Sequence, residues 1–405
     1  MKRYWKIITL CIITVIGIGI FYIQSSLAGN DDIQIEFERV SGNEDEVENL
    51  SLYASYEFDY MYQTLQISSK GTFNLENQSP LQQLIREKTV PVFKELIEKH
   101  RSFMRSKELL PSYFYEDESL LVYANISRDV FYESRRNSSF DIEVLNKKSG
   151  ETTSIQLDKP KDKNNSWTDV VEVQVIDGKL KVFTREQVAD EVGLYVYTFD
   201  IEGQKLIDNE LIVSKPTVEN GWSDVRIINH FYSIQPEKYL LIKLDAYEDR
   251  DMQGEGEVAE HSDAGPDVVT NEVSIYNLED NQLEIFITPD DLSGDIDSSA
   301  IYDSTIFIPS QSASGLEVNQ YDIEKRKWGK KLTFDLLPAK SGEDTPFVQL
   351  MNGKVYIIRS IKNGHSLFIG DLKTGESLYE GKLKVKNPGP EQKDYRLYIN
   401  EIEDV

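Results

Sequence analysis

The sequence contains a single cysteine, and this scarcity limits both the chemistry and the compartment of the protein. Cys11 lies inside an apolar N-terminal run, so the rest of the chain has neither an internal disulfide nor a thiol nucleophile. Proteins exported through the endoplasmic reticulum commonly carry disulfides. An exported chain without them is therefore more typical of a Gram-positive bacterial exterior.

The short motifs that mark common catalytic sites are also missing. The sequence has four histidines, and none belongs to a His-Glu-x-x-His zinc pattern. It has no Gly-x-Ser-x-Gly nucleophile turn, and no Gly-x-Gly-x-x-Gly loop follows a predicted strand. We therefore predict no catalytic residue and no obligatory cofactor. Carboxylate pairs are numerous, so carbohydrate chemistry by a secreted propeller enzyme stays open as an alternative.

Basic residues are scarce relative to acidic ones. The chain has 44 Lys+Arg against 70 Asp+Glu, which gives a formal net charge of −26. A surface of this sign repels phosphate backbones, so we expect no nucleic-acid partner. The same charge favours solubility and the binding of cations.

Only one long apolar run is present, at residues 7–23, and it follows the basic segment 1–6. As a helix, these 17 residues would span about 25 Å, the short end of a membrane span. The basic flank predicts a cytoplasmic N-terminus and an extracytoplasmic C-terminal domain. The alternative is a signal peptide cleaved after Ala28, which would release a secreted protein. We accordingly divide the chain into an N-terminal anchor or signal (1–28) and an exported remainder.

Residues 29–110 are predicted to hold strands within 33–75 and a helical insertion at about 79–108. Apolar residues in the insertion follow helical spacing, with Ser79 as N-cap and Pro80 at the first helical position. Pro91 should break or kink this helix. We expect the helix to pack on its own domain.

Five segments follow the pattern of "GLYVYTFDIEGQKL" (193–206): an alternating strand, an Asp or Asn, a short turn and a second alternating strand. Asp and Asn side chains hydrogen-bond the backbone of a turn, and Gly or Asn tolerates positive φ. We therefore expect a β-hairpin at each segment. The turn residues are Asn146 with Gly150, Asp200 with Gly203, Asn277 with Asn281, Asp322, and Asp371 with Gly375.

These turn residues recur at intervals of 54, 77, 45 and 49 residues. The longest interval contains an acidic insertion (245–270), and without it the period is about 50 residues. A second strand pair precedes the hairpins, so each repeat supplies four strands, the unit of a β-propeller blade. The predicted blades are 112–157, 168–214, 223–288, 297–336 and 345–385.

This pattern resembles the β-propeller superfamily, with blades similar to kelch, WD or quinoprotein blades. "GDLKTGESLY" (370–379) looks like the Asp-x-x-Thr-Gly turn of quinoprotein blades, in one repeat only. The resemblance implies an all-β propeller over residues 111–405, with about six four-stranded blades and seven as an alternative. Strands from 33–75 and from 394–402 are expected to share the blade that closes the ring. A β-sandwich is the competing fold.

The acidic insertion contains the most specific local match to a ligand site. Residues 249–260, "DRDMQGEGEVAE", follow part of the EF-hand loop, in which Gly254 would permit the sharp turn around a Ca²⁺ ion. The alternative is a solvated acidic loop, because strands rather than helices are predicted on both sides. The predicted Ca²⁺ ligands are Asp249, Asp251, Gln253, Glu257 and Glu260.

Taken together, these features predict a membrane-anchored or secreted extracytoplasmic protein that acts as a binding or scaffold module. The membrane is the expected partner of residues 7–23, and a protein or another cell-envelope component is the expected partner of the exported domain. The alternatives are a secreted enzyme acting on carbohydrate and a Ca²⁺-responsive sensor. The many tyrosines are expected to fill cores and sheet edges more than binding sites.

Overall fold

A computed structural model gives the fold of the parts of the chain that it describes. They are residues 33–58, 61–76, 91–128, 138–160, 165–189, 191–216, 221–228, 233–248, 267–289, 294–311, 315–340, 345–362, 364–386 and 395–404, together with positions 14, 218 and 292. The apolar run 7–23, the cleavage site at Ala28 and the loop 249–260 lie outside this description. Within it, no helix is long and apolar enough to cross a membrane.

The chain divides into two compact units. Unit 1 comprises Met1–Pro91, Ser312–Leu316 and Thr333–Val405, and unit 2 comprises Val92–Gln311 and Glu317–Leu332. Strands dominate both units. The chain begins with four described strands, of which β2 to β4 form a hairpin meander: β1 (Ile35–Gly42), β2 (Leu50–Phe58), β3 (Met61–Ser68) and β4 (Gly71–Asn74).

Two short helices follow, α1 (Pro91–Lys99) and α2 (Arg101–Met104). Pro91 is the first residue of α1, where its missing N–H disrupts no helical hydrogen bond. The predicted N-cap Ser79 lies outside the described residues. The helical segment ends at Met104, before the predicted end at about residue 108. It stops there because Arg105 has an extended backbone and Ser106 has a positive φ of 65°.

The helical segment packs on the first sheet of unit 2. Phe93 and Leu96 of α1 are buried, and the Phe93 ring centroid lies 5.0 Å from that of Phe114. The Phe114 ring in turn lies 5.1 Å from Tyr123. The helix therefore covers its own unit, as its apolar periodicity suggested.

Unit 2 holds four antiparallel sheets whose strands follow one another along the chain. Each is a meander, the strand order of a propeller blade. The strands are β5 (Phe114–Glu116), β6 (Leu120–Arg128), β7 (Ser138–Asn146) and β8 (Thr152–Asp158); β9 (Asn165–Ile176), β10 (Lys179–Val188), β11 (Glu191–Asp200) and β12 (Lys205–Pro216); β13 (Gly221–Ile228), β14 (Tyr239–Glu248), β15 (Asp267–Asn277) and β16 (Gln282–Ile285); and β17 (Ala300–Tyr302), β18 (Thr305–Gln311), β19 (Gly315–Asp322) and β20 (Lys327–Trp328).

Apolar layers fill the spaces between neighbouring sheets of unit 2. The sheet β9–β12 contributes Leu180 and Phe199 to a layer shared with β5–β8, and Phe183 and Leu194 to a layer shared with β13–β16. The other face of β13–β16 meets β17–β20 through a third layer that includes Leu241. Each inner sheet is thus buried on both faces, which explains why its strands are apolar on both faces over part of their length.

The remaining strands are β21 (Leu332–Asp335), β22 (Phe347–Met351), β23 (Lys354–Ile361), β24 (Gly364–Asp371), β25 (Ser377–Val385) and β26 (Arg396–Asp404). Strand β21 pairs with β19. One sheet of unit 1 has the order β26-β2-β3-β4, so the N-terminal and C-terminal strands share a sheet as predicted. The described strands therefore form six sheets.

Strand β1 lies in a different sheet from the one expected. It pairs with β25, which gives the order β1-β25-β24-β23-β22, whereas the sequence placed it with the other N-terminal strands. Glu38 and Glu36 of β1 form ion pairs with Lys384 and Lys386. Strand β1 is thus a fifth strand added to the outer edge of a four-stranded sheet.

The five repeated Asp and Asn residues do cap turns, as the sequence predicted. The Asp200 carboxylate accepts from the Gly203 amide at 3.1 Å, and the Asp371 carboxylate accepts from the Lys373 and Thr374 amides at 2.9 and 2.6 Å. Asn146, Asn277 and Asp322 accept from turn amides in the same way. These side chains build hairpins, which accounts for their recurrence without any catalytic role.

The residue of positive φ occupies the same place in all five turns, four positions after the Asp or Asn. The angles are 75° at Gly150, 48° at Gln204, 55° at Asn281, 51° at Arg326 and 76° at Gly375. The assignment of this role to Gly203 was therefore wrong by one position. A well-capped turn imposes the left-handed conformation even on Gln204 and Arg326, at a modest strain cost.

Candidate functional site

The predicted Ca²⁺ ligands Asp249, Asp251, Gln253, Glu257 and Glu260 all fall between β14 and β15, outside the described residues. Elsewhere, in the described part of the chain, no group of three or more potential ligands is placed to hold a metal ion.

The sheet β13–β16, which carries this insertion, has an unusual sequence of side chains along the face it turns toward β17–β20. Ile228 and Leu241 at one end are buried in the apolar layer. Next come Arg226 and Lys243, then the facing pair of Asp224 and Asp245. The face ends at the insertion with a pair of aromatic rings.

The charged side chains in the middle of this face form an ionic cluster, defined here as Arg185, Asp224, Arg226, Lys243, Asp245 and Asp297. The Arg226 Nη2 atom lies 3.0 Å from Asp245 Oδ2 and 2.8 Å from Asp297 Oδ1. The Lys243 Nζ atom lies 2.7 Å from Asp297 Oδ2. Arg185 on β10 joins through Asp224 at 3.0 Å. Three cations therefore balance three carboxylates.

Two members of the cluster, Arg226 and Asp297, have pKa values shifted in favour of their charged forms. Burial alone would lower the pKa of Arg226, but the hydrogen bond from Arg226 to Asp297 and the charges of Asp297 and Asp245 raise it. Burial alone would raise the pKa of Asp297, but hydrogen bonds from Lys243 and Arg226 lower it. Both shifts favour the charged forms of Arg226 and Asp297, and their ion pairs join β13, β14 and the segment before β17.

Two stacked aromatic rings, Trp222 and Tyr247, lie beside this cluster. The rings of Trp222 and Tyr247 stack with centroids 4.1 Å apart and an interplanar angle of 24°. The Tyr247 hydroxyl donates to Asp245 Oδ2 at 3.1 Å, and burial followed by this bond raises the pKa of Tyr247. Trp222 is 43% exposed. A rigid, exposed aromatic ring of this kind is typical of binding surfaces.

Exposed aliphatic side chains concentrate on the outer strands of the same sheet. In the described residues, fourteen large apolar side chains are exposed, and six of them belong to this sheet or the residues next to it. Trp222 is one, and the other five are called the outer edge from here on: Val268, Val269, Leu283, Ile285 and Ile287. The five residues lie along the rim of the sheet on both of its faces: Val268 is opposite Tyr247 and shares its face, whereas Leu283 and Ile285 are opposite Tyr276 and Ser274 on the other face. Exposed apolar residues concentrated on one rim are typical of an interaction surface.

The backbone of β16 is open along part of this outer edge. Strand β16 is the terminal strand of its sheet among the described strands. The Phe286 amide donates to the Val273 carbonyl at 2.8 Å, so the backbone groups of Phe286 and Glu284 point toward β15. Because these groups alternate along a strand, those of Leu283, Ile285 and Ile287 point away from the sheet.

Among the described residues, three carboxyl groups have strongly raised pKa values. Burial raises the pKa of Glu172 to about 8, of Glu237 to about 7 and of Glu403 to about 7. Gln174 donates to Glu172 at 2.8 Å and to the Gln235 carbonyl at 3.2 Å, and it accepts from the Glu237 amide at 3.0 Å. This network ties β9 to the segment before β14, which is a structural role.

The described histidines show no catalytic arrangement. His365 is buried, and its Nε2 atom lies 3.2 Å from the Ser360 hydroxyl, with Tyr395 packed beside the ring. His100 precedes α2 and caps it without a side-chain hydrogen bond. His230 and His261 lie outside the described residues. The hypothesis of a carbohydrate-cleaving enzyme therefore stays a prediction from the abundance of carboxylates.

Tyrosines are frequent in the sequence at 53–62 and 113–123, and the described ones differ in burial. Tyr56, Tyr115 and Tyr123 are buried, whereas Tyr62 is 60% exposed and its hydroxyl lies 2.7 Å from that of Ser55. Sequence reasoning missed Trp222 and the outer edge. The run of apolar residues at Leu283, Ile285 and Ile287 was visible, but alternation alone does not say which face lies against solvent.

No family model matches the chain, and no curated protein sequence matches it. Solved structures that resemble it include an apocarotenoid oxygenase from Synechocystis, with 9% identity over 87% of this chain and 74% of that chain and a TM-score of 0.39. The β-propeller domain of the Trilobed protease from Pyrococcus furiosus shows 14% identity over 85% and 84%, with a TM-score of 0.30.

A chain of a nidogen–laminin complex shows 9% identity over 87% of this chain and 99% of that chain, with a TM-score of 0.27. β-Propeller domains are thus among the structures to which the chain is similar. All three TM-scores fall below 0.5, so the fold class rests on the strand pairing of this chain itself: a mostly β protein built from six antiparallel sheets in blade-like order.

Proposed function

We propose that this protein is an extracytoplasmic β-propeller that binds a protein partner and holds it at the cell envelope. In this proposal the six sheets are the blades of one ring, and the sheet shared by β2 and β26 closes it. Residues 7–23 anchor the chain in the membrane, or cleavage after Ala28 releases it.

The observation that carries the proposal is the outer edge of the sheet β13–β16. Ile285 and Ile287 are 68% and 78% exposed, and Val268 and Val269 are also more than half exposed. Burying such side chains against a partner gains roughly 25 cal/mol for each Å² of apolar surface removed from water. Leu283 and Ile285 share one face of β16, and binding another protein would remove their exposed apolar surface from water.

The ionic cluster lies on the other face of the same sheet and joins this sheet to the next one. Asp297, Arg226 and Lys243 join the sheet β13–β16 to the segment that leads into the next sheet. The stacked ring of Trp222 rests on Tyr247, which is itself hydrogen-bonded to the cluster. Preorganised side chains lose little conformational entropy on binding, so a rigid rim of this kind favours affinity.

The anchor would keep the protein close to the membrane. Eleven residues, 24–34, separate the apolar run 7–23 from β1 at Ile35. Even fully extended, they would reach only about 40 Å. A retained anchor would therefore hold the sheet that contains β1 near the membrane surface, which suits a scaffold of the cell envelope.

Photo-crosslinking in cells tests the proposal. A photoreactive phenylalanine analogue at position 285 should give a discrete crosslinked product with another protein. The same analogue at position 207 is the matched control, because Ile207 is an exposed aliphatic residue on the edge strand β12 (43%) and lies outside the proposed surface. Equal crosslinking at both positions, or none at position 285, would contradict the proposal.

A further inference from the structure

The outer edge presents more than apolar side chains, because the residues that carry them also have outward-pointing backbone groups. The amide and carbonyl groups of Leu283, Ile285 and Ile287 point away from β15. An open strand edge is a ready template for another strand. We propose that β16 binds an extended, basic peptide segment of a partner protein, which pairs with it as an additional antiparallel strand.

The chain itself already contains one strand that is added to the edge of a four-stranded sheet. Strand β1 comes from a distant part of the sequence and pairs with the outer strand β25 over Ile35–Gly42. Every strand pair registered in the six sheets is antiparallel, as between β1 and β25 and between β15 and β16. An antiparallel strand on β16 would make β13–β16 a five-stranded sheet. The strands β22–β25 already form such a sheet together with β1.

The side chains of β16 specify the pattern of the incoming segment. Residues directly opposite Leu283, Ile285 and Ile287 would share their face, so the partner should carry aliphatic residues at alternate positions. Residues between them would lie on the face of Glu284, which is exposed and already pairs with Arg326 at 2.7 Å. Lysine or arginine at these positions would be favourable.

The charge of the chain favours a basic partner over a second copy of this chain as the occupant of the β16 edge. With a formal net charge of −26, two copies repel each other as they approach. The hairpin turn before β16 adds Glu279 and Asp280, both exposed. A basic segment is attracted by the same field, which favours it over self-association through β16. This inference rests on the proposed function and adds the binding mode and the chemistry of the partner.

Synthetic peptides test the mode directly with the full chain in detergent micelles. The probe is Val-Lys-Val-Arg-Val-Thr-Val carrying a fluorescent label, and binding is read by anisotropy. We expect saturable binding, and much weaker binding of a peptide in which Glu replaces Lys and Arg. N-methylation of the valines should weaken binding by roughly tenfold or more, since each removes a backbone hydrogen bond. N-methylation of the intervening residues should leave binding intact.

Two variants locate the site. Ile285→Pro removes an outward amide without removing a hydrogen bond to β15, and it should weaken peptide binding by roughly tenfold. Ile285→Lys keeps the amide but repels the basic peptide and should also weaken binding. Ile207→Lys on β12 is the matched control and should leave binding unchanged.

The outcomes separate this inference from the proposed function. Equal binding of both N-methylated peptides, or no binding of the parent peptide, would overturn strand addition. If crosslinking at position 285 still captured a protein, the binding surface would remain while its mode would be wrong. Dimerisation of the full chain that is lost in Ile285→Pro would show that a second copy occupies the edge, and would overturn the inference.

Discussion

Two sheet edges of this molecule differ in whether a further strand covers them. The outer edge of β25 is covered by β1, a strand with charged residues at Glu36, Glu38 and Arg39 and an irregular register near its end. The edge at β16 is uncovered by any described strand and carries Leu283, Ile285 and Ile287 toward solvent. Charge, irregularity and short length are the usual protections of an edge; β16 has Glu284 and is four residues long, but no described strand covers it.

The difference shows how one strand type can serve stability in one place and binding in another. At β25 the chain completes its own sheet, so the added strand contributes to the free energy of unfolding. At β16 the equivalent position is left for a strand from outside. Changes at the β1–β25 junction should therefore alter stability strongly, and changes at β16 should alter binding with little effect on stability.

The largest expected effect is at Gly42, the last residue of β1. Gly42 has a φ of +83°, and an added Cβ would lie 2.1 Å from the Leu378 carbonyl oxygen. Gly42→Ala should therefore destabilise the β1–β25 pairing by about 3 kcal/mol. Hydrogen exchange at the amides of β25 measures the loss.

Gly150→Ala is the control for Gly42→Ala. Gly150 has a similar φ of +75°, but no atom lies within 4 Å of the added Cβ. Only the backbone strain remains, which costs about 1 kcal/mol. Equal destabilisation by the two substitutions would contradict the tight approach of β1 to β25.

A smaller, pH-dependent effect is expected at Glu403 on β26. Burial raises its pKa to about 7 from an ordinary 4.5, so between these values the folded chain keeps a proton that the unfolded chain loses. The stability that this proton contributes is complete below pH 4.5 and is lost as the pH rises through about 7.

Glu403→Gln keeps a neutral side chain at every pH. The variant should match the parent protein near pH 4.5 and be more stable by about 2 kcal/mol at pH 8. Urea unfolding at the two pH values provides the measurement. Parallel pH profiles for parent and variant would show that Glu403 is ionised in the folded protein at neutral pH.

Calcium provides the next test, at the insertion beside the aromatic pair. If residues 249–260 form the predicted Ca²⁺ loop, Ca²⁺ at ten times its dissociation constant should raise the free energy of unfolding by about 1.4 kcal/mol. Calorimetric titration with CaCl₂ should show binding heat that the double variant Asp249→Asn, Asp251→Asn loses. Identical titrations of parent and variant would reject the loop as a Ca²⁺ site.

The smallest effect on stability is expected at the β16 edge. Ile285 is 68% exposed, so Ile285→Lys should change the free energy of unfolding by less than about 0.5 kcal/mol. The same variant should abolish partner capture in cells. A large loss of stability would instead place Ile285 in a packed contact and weaken its assignment as a binding residue.

The sequence was sufficient to predict features that depend on neighbouring residues. The period of about 50 residues and the Asp or Asn before each turn located the hairpins. The cap at Asp200 and the positive φ at Gly375 follow from local chemistry alone. The pairing of the N-terminal and C-terminal strands was also predictable, from the rule that such folds join their ends in one sheet.

Other features depend on which distant strands meet. The choice of β25 as partner for β1 rests on ion pairs such as Glu38 with Lys384, which are far apart in the sequence. The ionic cluster joins Arg185, Arg226 and Asp297 from separate repeats. The exposure of Ile285 depends on how far the neighbouring sheet extends. Periodicity contains none of this information.

Amide hydrogen exchange of the full chain shows whether the open edge of β16 accepts a strand. In the free protein the outward amides of Leu283, Ile285 and Ile287 should exchange rapidly, while the inward amide of Phe286 is protected by its bond to Val273. Adding the basic alternating peptide should slow the three outward amides and leave Phe286 unchanged. Unchanged exchange at Ile285 in the presence of saturating peptide would contradict the account.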